Sequence, residues 1–300
     1  MTYNRLFLTS VVGALVASPL TALSFAGSSV PGRAADVEVV EIAAGAFAYP
    51  VPGEFLSGGR PASAPIVDHE VSQPITIMKF QVSQGEYQRC VSAGACKAAD
   101  ATIQHDAGLK PITGVNYFDA LDYAEWFSQQ TGERWRLPSA AEWAYAAAER
   151  FVGESYSAVA SDPDNPAVAW IRRYEEEAAL GRTPDPAAHR RGHFGPNTRG
   201  VYDLAGNVWE WTSTCYQRTT FDAESGDAAH TTENCRVHIA EGQHRAYMSD
   251  FVRDGVSGGC AVGRPPDNLG FRLVREENRS VPYRLLEALL AAGRPFSFAL

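Results

Sequence analysis

The chain has 300 residues, 45% hydrophobic and 20% charged, with 26 Gly and 18 Pro, more turn formers than a helical bundle carries. Its formal net charge of −9, with both signs scattered along the chain, excludes a general nucleic-acid role, since phosphate binding needs a basic face. Without a leader about 270 residues remain, enough for one large domain or two small ones.

Residues 1–26 read as a secretory signal peptide. Arg5 supplies a positive start, residues 6–17 a mostly apolar run, and Ser24 and Ala26 the small residues of a cleavage site before Gly27. Pro19 and the brevity of the run argue against an uncleaved spanning helix. The mature chain is therefore expected in the periplasm or outside the cell, with no membrane span.

Residues 36–47 come close to alternating and predict a strand, whereas residues 51–65, rich in Gly, Pro and Ser, predict an exposed loop. Residues 74–82 predict a second strand running into Ser83 and Glu86, a capping box that opens a helix ended by Gly94. Asn116 caps a helix reaching Gln130, with Phe118, Leu121 and Trp126 on its apolar stripe. Ser139 and Glu142 form another capping box ahead of Trp143, Ala146 and Ala147. A fourth helix is expected over residues 168–180, where Glu175, Glu176 and Glu177 read as a solvated face. Residues 184–199 look loop-like, and the Gly-punctuated pieces beyond them predict an irregular, strand-poor region. A small amphipathic helix at 282–290 is expected in a C-terminal extension, residues 277–300. One mixed α+β domain is the simplest account, since no boundary or repeat stands out.

Five cysteines follow the leader: Cys90, Cys96, Cys215, Cys235 and Cys260. In an oxidising compartment they read first as disulfide partners. Cys90 and Cys96 are six apart around Gly94, close enough for a loop-closing bridge. Two of the other three can pair, and the sequence leaves open which one remains. Cys260 is expected to bridge to Cys215 or Cys235 rather than to act as a nucleophile.

Four segments carry a family resemblance: MKFQVSQGEY (78–87), GERWRLPSAAEWAYAAA (132–148), GVYDLAGNVWEWTS (200–213) and NLGFRLVRE (268–276). In this order they resemble the formylglycine-generating enzyme family, the sulfatase-modifying-factor domains, across residues 36–276. The resemblance implies an irregular α+β fold related to C-type lectins, with little regular secondary structure. Trp209 and Trp211 are two apart and share a face in an extended segment, with Glu210 opposite. Either both pack in the core or one lines a cleft.

Asp203 and Glu210 are hard oxygen donors, and carbonyls of the turn between them can complete a cation shell. The resemblance implies a structural calcium ion at Asp203, Gly206, Val208 and Glu210; the alternative is that both carboxylates bond to nearby amides. The resemblance also implies where the chemistry would sit. Formylglycine-generating enzymes hold copper(I) on two cysteines five apart, because soft thiolates suit that ion. The matching positions, counted back from Cys260, fall near Asp250 and Gly255, and residues 247–259 contain no cysteine. Formylglycine generation is thus not expected, and any redox metal is left unassigned.

His238 and His244 flank Glu241; with Asp250 they form the candidate catalytic set, of types that bind metals or move protons. The bland alternative is hydrogen-bonding histidines. His189 and His193 are four apart, but Arg190, Arg191 and Gly192 between them read as a basic loop. Arg245, Tyr247, Asp250, Arg253 and Asp254, with Arg264 and Arg272, are expected either to recognise a substrate or to tie loops together by salt bridges. Two functions follow: an oxidative maturation or accessory factor for a secreted protein, peptide or metabolite, or a non-catalytic, calcium-stabilised lectin-like module for a protein or glycan.

Overall fold

The computed structural model describes residues 37–100, 106–153, 187–222, 224–253 and 268–276, all within the unit Ala34–Leu300. The leader, the helix expected at 168–180, Cys260, Asp254, Gly255, Arg264 and the C-terminal extension lie outside the described residues.

The first expected strand divides at Ala43 and Ala44 into β1 (Val39–Ile42) and β2 (Gly45–Pro50), because its two halves join different sheets. Residues 51–65, expected as a loop, hold β3 (Glu54–Ser57) and β4 (Arg60–Pro61), a hairpin that turns at Gly58 and Gly59 in left-handed conformation, φ 56° and 76°. The cause is a distant partner: Phe55 is buried and stacks on Phe221, ring centres 5.8 Å apart. Next come β5 (Ile66–Val71) and β6 (Ile75–Met78), whose four residues are all buried.

The helices begin where the capping residues place them. α1 (Gln84–Ser92), α2 (Tyr117–Thr131) and α3 (Ala140–Ala147) start at Ser83, Asn116 and Ser139, each with both arms of a capping box. Gly132, φ 74°, ends α2 in the left-handed conformation. The buried face of α2 is Ala120, Tyr123, Ala124 and Phe127, whereas Phe118 and Leu121 of the expected stripe are 43% and 37% exposed. Tyr123 and Phe127 set this rotation by packing on Phe271 and Trp135, with ring centres 5.3 Å apart in each case. Fully burying a side chain of this size contributes about 1.5–3 kcal/mol. Trp143, Ala146 and Ala147 are completely buried, as the α3 pattern predicts.

After β7 (Trp135–Arg136), the region expected to be strand-poor carries the two longest strands, β8 (Trp209–Phe221) and β9 (Ala228–Glu241). They pair antiparallel, with register shifts between Trp211 and Cys215, Cys215 and Tyr216, and Thr220 and Phe221. The first nine residues of β9 are exposed, so no inward-outward alternation marks them as a strand. β10 (Ala246–Ser249), β11 (Leu269–Gly270) and β12 (Val274–Arg275) complete the set.

One sheet runs β1-β6-β12-β7 and another β10-β9-β8-β3-β4, with β11 parallel to β8; β2 and β5 form a separate pair. The short fourth motif joins the two larger sheets. Leu269 aligns with Trp209, while Val274 lies between Ile77 and Arg136. The architecture is α+β.

Candidate functional site

The four motif segments converge on one buried carboxylate, Glu210. Its Oε1 accepts from Gln81 Nε2 and Arg272 Nη2, both at 2.8 Å, and its Oε2 from Arg272 Nε at 2.6 Å and Trp143 Nε1 at 2.9 Å. Gln81, Trp143, Glu210 and Arg272 come one from each motif. Glu210, Trp143 and Arg272 are completely buried. The Arg272 guanidinium also donates to the carbonyls of Met78 and Lys79 at 3.2 Å and of Tyr202 at 2.9 Å. Trp209 and Trp211 both lie in the core; their indole N–H groups donate to the carbonyls of His244 at 2.9 Å and Val115 at 3.0 Å.

The turn leading into Glu210 is tight. Asp203, Ala205 and Asn207 adopt φ of 60°, 57° and 63°, and a Cβ at Gly206 would meet the Phe194 ring at 2.8 Å. The Asp203 carboxylate accepts from the amides of Gly192 and Phe194, and its carbonyl accepts from Gln81 at 3.2 Å. Both oxygens of Glu210 are thus engaged twice by protein donors. Asp203, Gly206, Val208 and Glu210 as they stand do not present an open cation shell: a calcium ion here requires Arg272 or Gln81 to leave Glu210.

The candidate catalytic residues do not form one constellation. In the β9–β10 register His238 faces Met248, and the Asp250 amide donates to the Arg236 carbonyl at 3.0 Å, which puts His238 and Asp250 on one face. Glu241, three residues from His238, faces the other side. There it pairs with Arg245, 2.8 Å apart, both side chains fully buried. His244 lies between the strands, with Nδ1 2.9 Å from the Arg245 carbonyl and its ring edge-on to Trp209.

Each member of this stretch is engaged internally. Asp250 is buried and accepts from Arg236 Nη1 at 3.2 Å, and its carbonyl accepts from Tyr117 N at 3.1 Å. His238 stacks on Tyr117 with ring centres 3.6 Å apart; burial lowers its pKa, against the opposing pull of Asp250. Arg245 lies over the rings of Tyr49 and Phe151 and donates to the Pro50 carbonyl at 3.0 Å. Burial works against its charge, yet Glu241 keeps its pKa raised. Tyr247 brackets the backbone of Gly53, and Arg253 pairs with Asp100 at 2.8 Å and Asp119 at 2.9 Å. Of this cluster, Arg245, Asp250, Arg253 and Arg272 lie in salt bridges. His189 and His193 stack on each other in a turn, with no helix beneath them.

Cysteine pairing departs from one expectation. Cys90 bridges Cys96, and Cys215 bridges Cys235. Both partners expected for Cys260 are therefore taken by each other, because the register shift between Cys215 and Tyr216 leaves Cys235 beside Cys215 across the β8–β9 hairpin.

A cavity of about 690 Å³ was not legible in the sequence. It opens among β5, the start of α3 and β12, lined by His69, Glu70, Arg136, Glu142, Arg275 and Glu276 among others. Arg136 and Glu142 form a two-point ion pair at 2.6 and 2.7 Å. Burial would raise Glu142, but Arg136 and the Ser139 cap outweigh it and hold its carboxyl below the usual range. Both residues carry motif roles at the helix start, which conceal their place in a cavity wall.

Residues 30–277 match the family of the sulfatase-modifying factor enzyme 1-like domain. The chain is 30% identical over 173 residues to the inactive C-alpha-formylglycine-generating enzyme 2 of Bos taurus, covering 53% of this chain and 53% of that protein. It is 36% identical over 122 residues to the formylglycine-generating enzyme of Mycobacterium tuberculosis, covering 38% of this chain and 36% of that protein. The chain thus spans about half the length of the first relative and about a third of the second. Among solved structures, PvdO from Pseudomonas aeruginosa matches at 23% identity and TM-score 0.49, covering 80% of this chain and 94% of that one. With its four motifs joined at Glu210 and the family match running from 30 to 277, the chain belongs to the sulfatase-modifying factor enzyme 1-like domain family.

Proposed function

We propose that this chain is a periplasmic or secreted accessory factor of formylglycine-generating-enzyme type, which holds a secreted protein, peptide or small metabolite and does not itself generate formylglycine. The observation that carries this reading is Asp250. Where the resemblance requires a copper(I) thiolate, the chain has a buried carboxylate bonded to Arg236 and locked through its backbone to Tyr117. A hard oxygen already engaged does not fit copper(I). The division of His238 and Asp250 from Glu241 across the sheet supports holding over turnover, as does likeness to a relative named as inactive. Two disulfides and the leader expected from the sequence support the oxidising location.

The cavity beside α3 suits a partner of mixed charge, since Arg136 and Arg275 face Glu70, Glu142 and Glu276. The test incubates mature protein with copper(I), oxygen and a sulfatase-derived cysteine peptide, and follows the peptide by mass spectrometry. No aldehyde product is expected, whereas formylglycine formation overturns the reading. Structural calcium enters this proposal by exchange for Arg272 or Gln81 at Glu210. Calcium that raises Tm in wild type but not in Glu210→Gln would establish that exchange.

A further inference from the structure

The exposed half of the β8–β9 hairpin holds a cluster that the accessory role does not use. Cys215 and Cys235 close a cross-strand bridge with Cα atoms 4.6 Å apart. A Glu233 carboxylate oxygen and the two sulfurs all lie within 4.8 Å of one another. From the buried side His238 approaches one member of this group, its Nε2 standing 3.9 Å from Cys215 Sγ, while it lies outside the 4.8 Å grouping of the other three. The His238 ring is 4% exposed and held flat by Tyr117, and its Nδ1 has no partner among the described residues. Cys235 and Glu233 are exposed. Glu233 also accepts from its cross-strand neighbour Gln217 at 3.1 Å, but a disulfide itself needs neither a carboxylate nor an imidazole beside it.

We propose that Cys215, Cys235, His238 and Glu233 form a redox-gated zinc site: a disulfide when oxidised, a four-ligand zinc centre when reduced. Zn–S and Zn–N bonds of about 2.3 and 2.1 Å around a tetrahedral centre place sulfur and nitrogen about 3.6 Å apart. The present 3.9 Å between His238 and Cys215 is close to that spacing. Reduction frees the sulfurs to part to about 3.8 Å, the distance two zinc thiolates need. Two sulfurs with one imidazole and one carboxylate suit zinc, which accepts all three donor types, better than copper(I) or calcium.

The chemistry balances with a dithiol as reductant. A donor thiolate attacks the exposed Cys235 sulfur, the S–S bond breaks, and Cys215 leaves as thiolate. The donor's second thiol then displaces Cys235 and closes the donor's own disulfide; two electrons have passed to the protein, and the donor's two protons remain with the cysteine pair. Zinc binding to that pair releases two protons. The hairpin is cross-linked in both states, covalently in one and by the metal in the other.

The test reduces the mature protein, removes the reductant, and titrates zinc against a chromophoric chelator, with cobalt(II) as the spectroscopic probe. Reduced wild type is expected to take up stoichiometric zinc and to show the thiolate charge-transfer band of tetrahedral cobalt. The oxidised protein is expected to show neither. His238→Ala weakens zinc at least about tenfold, Cys215→Ser with Cys235→Ser abolishes the band, and Cys260→Ser leaves it unchanged. Equal uptake by reduced wild type and the double serine variant overturns the proposal, as does loss of the band in Cys260→Ser. Circular dichroism covers the case in which reduction unfolds the chain: zinc then restores the fold in wild type, and failure to do so also overturns the proposal.

Discussion

Two fully buried carboxylate–guanidinium pairs sit side by side, since Glu210 and Glu241 face each other across β8 and β9. Glu210 draws its donors from three other motif segments, and both its oxygens and every nitrogen of Arg272 are matched, although Gln81 Oε1 has no partner among the described residues. Glu241 draws Arg245 from four residues away, and Arg245 Nη2 has no partner among the described residues. One pair joins the four motifs; the other joins its own turn to the Pro50 carbonyl and to the rings of Tyr49 and Phe151. A buried pair repays its desolvation only when geometry and further hydrogen bonds are good, so the two pairs are expected to differ in worth although both are equally buried.

Removing one cation at a time gives the largest effect. Arg272→Ala leaves Glu210 buried without a counter-ion, held by Gln81 and Trp143 alone, and is expected to cost about 3–5 kcal/mol in urea unfolding. Arg245→Ala is expected to cost less, about 2–3 kcal/mol; equal costs break the comparison. Replacing both partners sharpens it. Glu241→Leu with Arg245→Met is expected within about 1 kcal/mol of wild type. Glu210→Leu with Arg272→Met is not rescued, because the Trp143 indole loses its acceptor, Gln81 loses one of its two, and the Met78, Lys79 and Tyr202 carbonyls each lose a donor.

A third, more exposed pair supplies the smallest effect. Glu142 is held below the usual carboxylate range, so its pair with Arg136 adds stability above that range and loses it as pH falls through the folded value. Arg136 is 37% exposed, and solvent screening keeps the contribution to about 1 kcal/mol or less. Arg136→Met should flatten the decline of Tm between about pH 5 and pH 2. An unchanged acid limb would remove Glu142 from the account.

Legibility in the sequence followed the range of the interaction. Ser83, Asn116 and Ser139 announced their helices because a capping box is written within four consecutive residues. The structure turns Phe118 and Leu121 away from the core, since the buried face is chosen by Trp135, just beyond the helix, together with Phe271, far along the chain. At the candidate site, the residue types were visible but their separation was not. His238 and Glu241 look adjacent in sequence, yet a three-residue step along a strand sends them to opposite faces.

By itself, then, the sequence determined the helix starts, the Cys90–Cys96 loop and the motif order that carries the family. Tertiary structure alone decided the β8–β9 hairpin, the pairing of Cys215 with Cys235, and the role of Glu210. The physical reason is separation. Gln81 and Arg272 reach Glu210 across 129 and 62 residues, and only folding shows which donors fill a carboxylate's acceptor positions and whether any remain for a metal.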